Sequence, residues 1–114
     1  MSRDTKDTED AVSVSSPRHF QAVVKRYDEV LVYFYMPDSE PCREIAPAVG
    51  ALVEEGVMPV AEVNVEKNER VSSVYNVNSV PTVVLFMDGD PVSRAVGAKT
   101  KEELRNFVRQ GPSP

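Results

Sequence analysis

The chain has 114 residues, 41% of them hydrophobic and 27% charged, which are ordinary values for a folded protein with one core. A formal net charge of -5 and a pI near 4.9 exclude the clustered Lys and Arg that nucleic acid or an anionic membrane surface would reward, so the expected partners are other proteins. With a single cysteine no internal disulfide can form, and no apolar run is long enough to span a bilayer, so a soluble, cytoplasmic chain is expected.

Residues 1–10 are polar and highly charged, carry no apolar stretch of a signal sequence, and are expected to form a disordered tail. Residues 11–14 alternate as an edge strand should. Ser15-Ser16-Pro17 then marks a helix start, with a serine cap and proline at the first helical position. Phe20, Val23, Val24 and Tyr27 follow the one-face helical spacing, and His19 falls off that stripe as a solvated surface residue.

Val30 to Tyr35 is apolar on both alternating faces, which predicts a central strand covered by helices on each side. Asp38-Ser39-Glu40-Pro41-Cys42 follows as a turn, and it feeds a helix whose apolar positions include Ile45, Val49, Leu52 and Val53. Pro47 is expected to kink that helix near Arg43, and Gly56 to end it. The join between strand and helix presents unpaired amides and the positive helix pole, the place for anion or thiolate chemistry. Cys42, the only cysteine, stands there.

Ala61, Val63 and Val65 alternate with Glu62 and Asn64 as a strand, and a short helix follows with Val71, Val74 and Tyr75 on one side. Thr82 to Met87 and Pro91 to Val96 are two strands joined at Asp88-Gly89, a strong hairpin signal, and Pro91 suits an edge. Thr100 and Glu103 form a capping box before a last helix that faces the core with Leu104, Phe107 and Val108. The order is β-α-β-α-β-α-β-β-α, a single α/β domain over residues 11–110 with a central mixed sheet flanked by helices, and residues 111–114 are a frayed tail.

The runs VLVYFYMPDSEPCREIAP, AEVNVEKN, SVPTVVLFMDGDPV and AVGAKTKEEL together resemble the thioredoxin family over nearly the whole chain. The resemblance implies the thioredoxin fold and membership of the thiol/disulfide oxidoreductases of cell redox homeostasis. It also implies a cis peptide at Val80-Pro81, where base rates alone would favour trans. A cis proline there would leave the Val80 backbone free to pair with an extended segment of a client protein.

The departures from the family are informative. Its active turn, Trp-Cys-Gly-Pro-Cys, here reads Asp38-Ser39-Glu40-Pro41-Cys42, so Ser39 stands in the place of the missing attacking cysteine. The family's buried acid corresponds to Tyr33 and a nearby lysine to Glu62. A serine hydroxyl without a dedicated base does not replace a thiolate, and Asp38 and Glu40 put negative charge beside Cys42. A two-cysteine cycle is therefore impossible.

Three readings remain open. Cys42 works as a single sulfur, attacking a disulfide that an external thiol reductant then resolves. Alternatively, the chain is a non-catalytic client-binding module that uses Val80, Pro81, Asp38, Glu40 and Pro41. In the third reading Ser39 is an engineered replacement in an ordinary dithiol protein, although this leaves Asp38 and Glu40 unexplained. Against all three stands the structural account, in which Ser39 is a good helix cap, Cys42 an inert apolar residue, and Tyr33 and Tyr35 packing groups. No cofactor is expected, and one Cys with one distant His falls short of a metal ligand set. A monomer is the default, with a disulfide-linked dimer through Cys42 left open.

Overall fold

The computed structural model describes residues 11–112; the expected N-terminal tail lies outside them. The elements are β1 (Val12–Ser13), α1 (Pro17–Arg26), β2 (Glu29–Tyr35), α2 (Glu40–Glu55), β3 (Val60–Asn64), α3 (Glu69–Val74), β4 (Thr82–Met87), β5 (Asp90–Val96) and α4 (Lys101–Gln110). They follow the order expected from the sequence.

The five strands form one mixed sheet in the order β1-β3-β2-β4-β5. β3 runs parallel to β1 and β2, whereas β4 is antiparallel to β2 and β5. The apolar run Val30 to Phe34 thus occupies the middle strand, buried on both faces. On one face Val30, Val32 and Phe34 pack with Phe20, Val23 and Val24 of α1 and Val71 of α3. Leu31 and Tyr33 point the other way, toward Ile45, Val49 and Leu52 of α2 and Leu104 and Val108 of α4.

Local chemistry sets the element boundaries. Ser16 caps α1 by accepting the His19 amide, with Pro17 in the first turn. Gly56 ends α2 in the left-handed conformation at φ 65°, which a glycine adopts without a Cβ clash. Asp88 and Gly89 both take positive φ, 53° and 88°, and close the β4–β5 hairpin. Thr100 and Glu103 form the capping box of α4. Helix α2 is continuous in extent from Glu40 to Glu55 with Pro47 inside it.

Two expectations need correction. Val74, which helical spacing sets on the same side as Val71, is 64% exposed while Val71 is buried in the core. His19 is half-buried rather than merely solvated, and its Nδ1 accepts the Ser15 amide at 3.0 Å.

Candidate functional site

The C-terminal end of β2 delivers the chain to the turn at 36–39, from which α2 begins. Ser39 is the N-cap of α2, and its hydroxyl oxygen accepts the Cys42 amide at 3.4 Å. This bond satisfies one of the amides that the first turn of a helix leaves without a partner. Glu40 and Pro41 fill the first turn, where a carboxylate favours the dipole and a missing N–H costs nothing. The turn is well formed as a helix start by these interactions alone.

Cys42 lies one step inside, with 4% of its surface exposed. Its sulfur accepts the Met36 amide at 3.5 Å, and its carbonyl accepts the Tyr33 hydroxyl at 3.3 Å. Tyr33 therefore ties the sheet to the first turn of α2 directly behind the thiol. Burial, with the neighbouring Cys42 and Glu62, holds the Tyr33 phenol far above its ordinary range, so it is a neutral donor at any physiological pH. Tyr35 stacks on Tyr33 with ring centroids 5.2 Å apart, and burial followed by the charge of Glu62 raises its phenol as well.

Asp38, Glu40 and Pro41 are exposed around this buried sulfur. Arg43 approaches Glu40 at 3.7 Å and donates to the Asp38 carbonyl at 3.4 Å; an exposed pair of this kind adds little stability. Among the described residues no three His, Cys, Asp or Glu side chains are grouped as a metal site would require.

The cis bond at Val80-Pro81 immediately precedes β4. Phe34 of β2 pairs with Thr82 of β4, so the cis proline and the turn at 36–39 emerge at the same end of the sheet. The Pro81 carbonyl accepts the Gly97 amide at 2.9 Å, and the Thr82 hydroxyl donates to Ser79 at 2.7 Å. Among the described residues no hydrogen bond engages the Val80 backbone. Val80 is half-buried and Pro81 is buried.

The alternation pattern gave no hint of how Glu62 is placed. It pairs with Tyr33 across the β2–β3 ladder, and burial pushes its carboxyl above the ordinary carboxylate range. With Cys42, Tyr33 and Tyr35 it lines a hollow of about 250 Å³. The strand pattern marked Glu62 as belonging to the polar face, yet Val60 on that same face is core. β3 lies between two other strands with α2 over it, so its polar face is partly covered.

Comparison with known proteins agrees with this geometry. The family model described as Thioredoxin matches residues 11–110. Thioredoxin 1 of Synechococcus elongatus is 36% identical over 100 residues, covering 86% of this chain and 94% of its own. A thioredoxin of Streptomyces clavuligerus is 37% identical over 93 residues, with 81% and 84% covered. Among solved structures, a mutant thioredoxin from Halobacterium salinarum superposes with a TM-score of 0.85 at 30% identity, covering 95% of this chain and 96% of that one.

Proposed function

The chain belongs to the thioredoxin family, lacking its first active-site cysteine, and from that premise we propose that it binds extended segments of client proteins beside Pro81 without completing a two-cysteine cycle. The observation that carries this reading is the state of the turn: where an attacking sulfur would be needed, the Ser39 hydroxyl is engaged in capping, and the remaining sulfur, Cys42, is 4% exposed. Thiol–disulfide exchange requires an accessible thiolate, and a capping serine has no base to ionise it.

The recognition surface follows from the sheet end. An unpaired Val80 backbone between an exposed turn and β4 offers a strand-pairing edge, with Asp38, Glu40 and Pro41 as the facing rim. Such pairing is independent of client sequence. We place this activity in the cytoplasm and in a monomer made of one domain over residues 11–110.

A weaker chemical activity is compatible with the same site. Cys42 borders the hollow shared with Glu62, so a small disulfide could reach the sulfur when the turn opens, with an external thiol reductant completing the exchange. This single-sulfur chemistry is slow, since opening must precede attack.

The test is non-covalent capture. A reduced and carboxymethylated unfolded polypeptide, which has no thiol to exchange, is titrated against the isotope-labelled protein and its Cys42→Ala variant. The proposal expects saturable shifts of the Val80 and Gly97 amides in both. Loss of binding in the variant, or none in either, would overturn it.

A further inference from the structure

Among the described residues Glu62 is the one acidic side chain whose carboxyl is shifted upward on balance, by burial, and it has neither a salt bridge nor a side-chain hydrogen bond there. A half-buried carboxylate in that condition is poorly solvated and uncompensated, so a cation brought to it gains more than at an exposed site. Among the described residues the groups facing it are the phenols of Tyr33 and Tyr35 from β2, and Cys42, Arg43 and Glu54 from α2; β1 contributes no titratable group. Arg43 also lines the hollow, and its guanidinium contacts Glu40 at 3.7 Å and the Asp38 carbonyl at 3.4 Å.

The hollow is lined by Tyr33, Tyr35, Met36, Cys42 and Glu62 among others. At about 250 Å³ it is smaller than the roughly 300–1,000 Å³ of a small-molecule site. One wall is the stacked pair Tyr33 and Tyr35, with rings inclined by 18°. A second hollow of about 530 Å³ shares Tyr33, Ala46 and Glu62 with it and adds the Glu54 carboxylate at its margin. Planar aromatic faces beside a carboxylate are the surroundings that a guanidinium matches best, because it stacks flat and donates in a fork. The net charge of -5 favours the approach of such a group.

We propose that this hollow receives an arginine side chain of the bound client, with the Glu62 carboxylate as counter-ion and the rings of Tyr33 and Tyr35 as its wall. The inference rests on the client-binding reading above and adds a chemical preference to it, since strand pairing at Val80 does not discriminate among sequences. Protonation of Glu62 removes the counter-ion, so arginine binding weakens as the solution is acidified.

The probe is the tripeptide acetyl-Gly-Arg-Gly-amide, titrated at neutral pH and followed by magnetic resonance at the Tyr33 and Tyr35 rings and the Glu62 carboxyl. Its citrulline counterpart, which has the same shape without the charge, and the Glu62→Gln variant are measured alongside. The expected result is saturable shifts at these three residues, with affinity about tenfold weaker for citrulline and for Glu62→Gln. Equal affinity in the three experiments, or no shift at Glu62, would overturn the proposal. If the unfolded polypeptide moves the Val80 amide while the tripeptide leaves Glu62 unmoved, this inference falls and the client-binding reading stands. The converse pattern overturns that reading instead.

Discussion

Tyr33 and Glu62 are register partners on the adjacent parallel strands β2 and β3, and each is raised above its ordinary pKa by burial, so the polar groups behind Cys42 sit at the sheet's covered face. Cys42 is joined to them through its carbonyl, which accepts the Tyr33 hydroxyl. This arrangement, with Ser39 capping the same turn, makes the turn a structural unit before it is a chemical one.

Glu62 makes stability depend on pH with a definite sign. Its native carboxyl binds a proton more tightly than in the unfolded chain, so the stabilisation is fully present below the unfolded value and is lost as pH rises through the native one. Glu62→Gln is therefore more stable than the parent at neutral pH, and the difference closes below about pH 4. Thermal melts of both proteins across that range check it.

Ser39→Ala removes the cap of α2 and leaves the Cys42 amide without its acceptor. The expected cost is about 1 kcal/mol, or roughly 4–8 °C in the melting midpoint. Ser39→Asp keeps a capping oxygen and retains most of that stability. Calorimetry of the two variants separates the capping role from a chemical one.

Tyr33→Phe deletes only the hydroxyl that donates to Cys42, at an expected cost of about 1 kcal/mol read from urea unfolding. The variant also lets the first turn of α2 open more readily, so alkylation of Cys42 by iodoacetamide is faster than in the parent. In the parent the buried sulfur reacts at least about tenfold more slowly in the native protein than in denaturant.

Ser93 on β5 carries the opposite expectation. Its hydroxyl oxygen is buried with no hydrogen-bond partner among the described residues. Ser93→Ala removes an unsatisfied polar group from the face toward α4 and should stabilise the protein by about 1 kcal/mol, measured by urea unfolding.

Much of this architecture is legible in the residues. The doubly apolar Val30 to Tyr35 names the central strand, Asp88-Gly89 names the hairpin, and Thr100 with Glu103 names the last helix start, because each pattern has a local physical cause. Val74 misleads because helical spacing says which positions share a face without saying where a short helix ends against its neighbours. Glu62 misleads similarly: alternation separates two faces of β3, but the helix covering the polar one comes from a distant part of the chain. The loss of the attacking sulfur is read from Ser39 directly, whereas the burial of Cys42 needs the packing of α2 against β2.

Reduction of insulin by the unaltered protein, supplied with the reductase of a dithiol thioredoxin but no added small thiol, tests the central claim most directly. The expected result is no turnover above background for the parent and measurable turnover for Ser39→Cys, which regains the outer sulfur on the same frame. Turnover by the parent at a rate matching Ser39→Cys would contradict it, since one sheltered sulfur would then be doing the work assigned to two.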